Sequence, residues 1–212
     1  MRKLLGILCL LLVMMAMVSC GGQPAEQDQQ TADATEPAET EKEDVLSIPQ
    51  LSDEEIYSLY DQTQPYVEAN FYLGTPMNDL DPDWSTVDSN YANPSLKYHS
   101  LDEFRTHMLT DYALSERFVD FLLENQTDAG MLSEHDGGLY VVAANRGSDI
   151  TVGNEIRRVV MRVGDAFVTL RITYEIVDDT TGEHKVTGSF DSDNVLLYEN
   201  GRWVWDEIVE YR

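Results

Sequence analysis

The sequence is poor in cysteine, in basic residues and in long apolar runs. Its two cysteines, Cys9 and Cys20, both fall within the first 20 residues. No disulfide is therefore available further along, and any domain there must hold by core burial. Lysine and arginine number 14 against 39 aspartates and glutamates, for a net charge of −25. Without a basic stripe to displace counterions from phosphates, nucleic acid is excluded as a partner. Anionic lipid head groups repel such a chain within a screening length of about 8 Å at physiological salt. The longest apolar stretch, Leu4 to Val18, is shorter than the ~20 residues a bilayer-spanning helix needs. Gly-x-Ser-x-Gly, His-Glu-x-x-His and phosphate-loop motifs are missing, and no cysteine nucleophile follows Cys20. The isolated histidines His99, His135 and His184 suggest no catalytic set. The expectation is a protein without enzyme activity, cofactor or metal.

The N-terminus carries an address. Arg2 and Lys3 precede the apolar stretch, and Ser19 stands immediately before Cys20 and Gly21. This arrangement resembles the lipobox of bacterial lipoproteins. It implies a signal peptide over 1–19, cleavage before Cys20, and a lipid on the Cys20 thiol that anchors the chain to the outer face of the cytoplasmic membrane. From Gly21 to Asp44 the chain is built of Gln, Ala, Thr, Glu and Pro, too apolar-poor to offset the entropy of ordering. It reads as a disordered acidic tether, extended by self-repulsion; a partner-binding acidic tail is the alternative. The rest, Val45 to Arg212, suffices for one domain that buries about 70% of its unfolded surface. Its acidity serves solubility or steers a basic partner.

Within that domain the helix signals come first. Ser52 and Glu55 form a capping box ahead of Ile56, Leu59 and Tyr60. Val67 and Phe71 continue the face, with Pro65 expected to kink or split the helix. Gly74 to Ser95 reads as a long loop, with Trp84 and Tyr91 expected to pin it to the domain. Asp79, Asp81 and Asp83 alternate as at the start of an EF-hand calcium loop, but Trp84 and Asn90 occupy the places of its essential Gly and Glu. A solvated acidic turn is expected instead. Ser100 and Glu103 make a second capping box before Leu101, Phe104, Met108 and Leu109. A third helix follows, with Leu114, Phe118, Phe121 and Leu122 on one face and its end near Asn125. His107 is expected to be a packed or surface residue.

After Met131 the period changes to two. Asp136, Gly137 and Gly138 mark a hairpin between strands at 131–134 and 139–143. Strands at 155–163 and 166–177 flank Gly164 and Asp165, the second alternating as Val168, Leu170, Ile172, Tyr174, Ile176. After a turn from Asp178 to Lys185 come strands at 186–190 and 195–198, expected to break near Asp191. Asn200 and Gly201 then turn the chain into a last strand over 202–211. Helices followed by an antiparallel meander give an α+β class, with the helices on one face of a twisted sheet.

The stretch Asp136 to Gly153, DGGLYVVAANRGSDITVG, resembles the IseA-type DL-endopeptidase inhibitors of Gram-positive bacteria. So do the helices before it and the Gly201-Arg202-Trp203 hairpin, over about 98–212. The resemblance implies a secreted or surface protein, without catalysis, that binds NlpC-type cysteine peptidases and blocks their cutting of peptidoglycan stem peptides; a monomer is expected. On that implication Asp136, Arg146, Gly147, Ser148 and Asp149 are the candidate contact residues. Asp136, Ser148 and Asp149 would act as an acidic mimic of the substrate, and Arg146 as a bidentate anchor. Alternatively, Gly147 and Ser148 form a plain turn that Asp149 caps. The competing reading is an extracytoplasmic small-ligand-binding lipoprotein with a cone-shaped sheet-and-helix fold, its pocket lined by Tyr140, Tyr174, Trp203 and Trp205.

Overall fold

A computed structural model describes residues 47–144, 151–178 and 185–209. Cys20, the lipobox and the acidic tether lie outside them. Helix α1 (Asp53–Val67) opens with the expected capping box. The Ser52 hydroxyl accepts the Glu55 N–H, and the Glu55 carboxylate accepts the Ser52 N–H at 2.7 Å. That backbone hydrogen bond, followed by the one to the Ser52 side chain, holds the Glu55 carboxyl below the usual range. Three acidic residues in the first turn face the positive end of the helix dipole.

Pro65 does not split α1. The helix continues to Val67 and then widens into a π-helical turn, Glu68–Tyr72, in which the Leu73 N–H reaches back to the Glu68 carbonyl at 2.8 Å. Proline removes one hydrogen bond and crowds the carbonyl four residues earlier, and the wider turn just downstream buries Phe71 and Tyr72. Gly74 follows because a Cβ there would sit 2.6 Å from the Ala69 carbonyl oxygen.

A one-turn helix, α2 (Met77–Leu80), is followed by helices α3 (Leu101–Asp111) and α4 (Glu116–Asp128). Ser100 caps α3, but Glu103 answers the His99 N–H instead of that of Ser100, so the second capping box is half formed. Helix α4 runs beyond Asn125, and its buried face is Phe118, Val119, Leu122 and Leu123. Phe121, expected on that face, is 47% exposed.

The strands divide into two sheets. Strands β1 (Asn93–Pro94), β2 (Leu132–His135) and β3 (Gly138–Val141) form a small antiparallel sheet in the order β1-β3-β2. The turn between β2 and β3 places Asp136 (φ 51°) and Gly137 (φ 75°) in the left-handed region, as a two-residue hairpin of this type requires. Strands β4 (Val152–Arg162), β5 (Phe167–Asp178), β6 (Lys185–Glu199) and β7 (Arg202–Glu207) form a four-stranded antiparallel meander in sequence order. Strand β6 is unbroken at Asp191, contrary to expectation. There the Thr173 hydroxyl donates to Asp191 at 2.7 Å and Arg171 grips Asp193 bidentately, at 2.7 and 2.6 Å. A polar run that reads as a turn is thus held as strand by its neighbour. The apolar alternation of β5 changes phase at a register shift between Ile176 and Val177, which buries Val177 and turns Ile176 out.

The core lies where the meander meets the helices. Fully buried Trp205 meets Tyr60 edge-on, with ring centroids 5.6 Å apart, and is surrounded by residues such as Phe104, Met108, Leu170 and Leu196. The α3–α4 connection locks this strand: the Trp205 N–H donates to the Ala113 carbonyl, and the Ser115 N–H to the Trp205 carbonyl. The Ser115 hydroxyl caps α4 through the Phe118 N–H and donates to Asp206 at 2.6 Å. Among the described residues, no helix is long and apolar enough to cross a membrane.

Replacing Trp205 by Ala is expected to lower stability by about 3–5 kcal/mol, whereas Phe121→Ala should cost under about 1 kcal/mol. Urea unfolding of both variants checks the contrast, and a Trp205→Ala loss no greater than that of Phe121→Ala would contradict this account of the core.

Candidate docking face

The long loop after α2 is braced by its own polar side chains. Its ends meet in an antiparallel bridge between Pro82 and Ser95, flanked by the Asp83 N–H to the Pro94 carbonyl (2.8 Å) and the Leu96 N–H to the Asp81 carbonyl (3.0 Å). Inside, the Asp83 carboxylate accepts from the backbone and hydroxyl of Ser85 and from the Thr86 hydroxyl. Asp88 Oδ1 accepts the N–H groups of Asn90 and Ala92. The Asn93 amide donates to the carbonyls of Asp83 and Thr86. This is an Ω-type loop, closed at its neck and filled by its own groups.

With the interior of the loop occupied by carboxylates and amides, the aromatic residues face out. Trp84 is 64% exposed and Tyr91 82% exposed, and Val87 and Leu96 are exposed as well. The expected anchoring by Trp84 and Tyr91 is therefore overturned; buried Leu80 and Ala92, with Asn93 and Ser95, hold the loop down. Tyr91 sits at φ 62°, a left-handed conformation uncommon for a bulky residue.

Asp136, the one candidate contact residue among those described, is exposed at the tip of the β2–β3 hairpin. Next to it, the ring of His135 stacks on Tyr140 at 4.0 Å and places Nε2 3.1 Å from Asp88 Oδ2. The hairpin tip is thereby joined to the Ω-loop. Arg146, Gly147, Ser148 and Asp149 lie outside the described residues. Strand β3 runs from the Asp136 end to Val141, roughly 10 Å at the rise of an extended strand, before the chain reaches them. Carboxylates dominate the loop and hairpin: Asp81, Asp83, Asp88, Glu134 and Asp136.

A polar cluster supports the base of the loop. Asp79 accepts hydrogen bonds from the hydroxyls of Tyr66 (2.6 Å) and Tyr112 (3.2 Å), whose rings stack at 3.6 Å. His107 lies against it, with Nδ1 2.7 Å from Asp111 and its ring stacked on Tyr98. The expectation of a solvated turn fails for Asp79, whose side chain is 16% exposed. Burial first, then Asp79, pushes the Tyr66 phenol far up and that of Tyr112 to about 12, so both remain hydrogen-bond donors at neutral pH. His107 is packed, as expected of it. Among the described residues no group of three or more His, Cys, Asp or Glu is placed to hold a metal ion.

Of the four aromatic residues of the competing pocket reading, Trp203 and Trp205 are part of the core and Tyr174 packs against it. Trp203 packs on Tyr198 and donates to the Pro49 carbonyl, Tyr174 stacks on Phe190, and Tyr140 belongs to the small sheet. Exposed Trp84 and Tyr91 were the signal that sequence reasoning misassigned; the run of Asp, Asn, Ser and Thr around them was the clue that the loop could fill itself.

The Ω-loop should respond to acid. The Ser85 hydroxyl, more than any other group, holds the Asp83 carboxyl below its usual range, and the Ala92 N–H does so for Asp88. A depressed carboxyl stabilises the fold fully above its unfolded value of about 3.9 and loses that contribution as pH falls through the folded value. The amide resonances of Ser85, Asn90 and Ala92 should accordingly titrate with midpoints below about 3.9, while those of central β5 stay fixed; midpoints above that value would contradict the bracing described.

The chain matches no protein-family model and no curated protein at a significant level.

Proposed function

We propose that this chain is a lipid-anchored surface protein that inhibits peptidoglycan DL-endopeptidases of the NlpC type by docking on them. The resemblance of its strand region to the IseA-type inhibitors supplies the target class. The observation that carries the docking reading is the outward presentation of Trp84 and Tyr91 on a loop braced by Asp83, Asp88 and Asn93.

Large aromatic rings held in water are a standing cost unless a partner covers them, and Trp and Tyr are the residues on which interface energy concentrates. A loop already fixed in one conformation loses little entropy on binding. The carboxylates around it give the face a negative field, which speeds encounter with a basic surface and weakens with salt. Asp136 belongs to this face through His135 and Asp88. Arg146, Gly147, Ser148 and Asp149 remain part of the proposal as further contacts, and Cys20 as the anchor. The protein acts by occupancy, as a monomer, with no catalytic group, metal or cofactor of its own.

The test is inhibition of a purified NlpC-type peptidase on isolated peptidoglycan by the full chain. Dose-dependent, near-stoichiometric inhibition is expected. A Trp84→Ala, Tyr91→Ala double variant should raise the half-inhibitory concentration by about 30-fold or more, since a hot-spot aromatic carries about 2 kcal/mol. Folded protein that leaves several such peptidases fully active would overturn the function. Inhibition that survives the double variant would overturn the face.

A further inference from the structure

The π-helical turn, α4 and the chain after β7 line a half-open groove of about 480 Å³, within the size range of small-molecule sites. Its apolar lining residues are Phe71, Tyr72, Phe118, Phe121, Ile208 and Val209, of which only Phe121 is exposed. Phe71 is there because of the π turn, a distortion that recurs at functional sites. Phe118 and Phe121 stack at 6.2 Å, and the outward turn of Phe121, which burial does not explain, leaves its ring at the groove.

The polar groups of the groove are unequally satisfied. Arg117 directs Nε and Nη2 at Asp206, which also takes the Ser115 hydroxyl, so that cation is already neutralised within the protein. Glu207 lines the same groove as an exposed carboxylate. Gln126 is 2% exposed; its Nε2 donates to the Phe71 carbonyl at 2.8 Å, and its Oε1 has no hydrogen-bond partner among the described residues. The groove therefore has a surplus negative charge, a buried acceptor awaiting a donor, and one exposed ring, Phe121, whose face attracts cations.

We infer that this groove is a binding site for an organic cation of the alkylammonium class, its apolar body against the exposed ring of Phe121 and its N–H donors directed to Glu207 and Gln126 Oε1. The net charge of −25 favours the approach of such a ligand and disfavours an anion of the same shape. The inference does not rest on the docking face, which uses other residues.

Hexylammonium chloride, titrated into the ¹⁵N-labelled full chain, is the probe. Saturable shifts are expected in amides of 118–126 and 206–209. Hexanoate and 1-hexanol, which keep the body and remove the positive charge, should bind at least about tenfold more weakly, and Glu207→Gln and Phe121→Ala each at least about fivefold more weakly, in line with a charge contact and a cation–ring contact of moderate strength. Both positions are exposed, so the variants should fold. Shifts scattered over carboxylates across the surface, equal binding of hexanoate or hexanol, or unchanged affinity in both variants would overturn the assignment.

Discussion

Like-charge repulsion is the constraint under which this domain is built. With 39 acidic residues against 14 basic ones, a loosely arranged surface would push itself apart. Several arginines are placed where they join two elements. Arg158 meets Asp61 of α1 and Glu155 of β4 and lies over the rings of Tyr57 and Tyr60. Arg162 takes Asp53 and the Leu51 carbonyl, Arg105 grips Asp120 across the α3–α4 pair, and Arg117 ties α4 to Asp206. Exposed ion pairs taken singly contribute little. Here they are bidentate or shared, and they also remove local repulsion, so their arrangement matters more than their number.

The same constraint shapes the candidate docking face. Carboxylates that would repel one another are turned onto backbone N–H groups, as at Asp83 and Asp88, or buried among phenols, as at Asp79. Each such contact fixes a segment of backbone. The loop becomes rigid because its acids need donors, and the rings of Trp84 and Tyr91 are left outside because the interior is filled. Negative charge and exposed aromatic area on one braced loop are thus two results of one local arrangement.

Much of the fold was legible from short-range chemistry. Capping at Ser52, the Asp136–Gly137 and Asn200–Gly201 turns and the alternation of Val168, Leu170 and Ile172 each express a backbone requirement within a few residues, and each corresponds to an element boundary or a buried face. What failed depends on partners distant in sequence. The third strand of the small sheet is Asn93–Pro94, too short to have a period, and it pairs with β3 from about 45 residues away. The continuity of β6 through Asp191 depends on Arg171 and Thr173 of the neighbouring strand. Of the site, Asp136 was legible as a turn residue, while the orientation of Trp84 and Tyr91 was reversed, since composition marks an aromatic in a loop but not the side on which its space is already taken.

Strand β4 lies at the edge of the meander, since β5 is its only neighbour in the described order. An open edge is a template on which another chain can add a strand. Here the edge is interrupted by register shifts on either side of Glu155 and carries Arg157, Arg158 and Arg162 within six residues. A second copy laid antiparallel along it would meet broken pairing and its own arginines. The strand that closes the sheet thereby also limits its growth into a fibre.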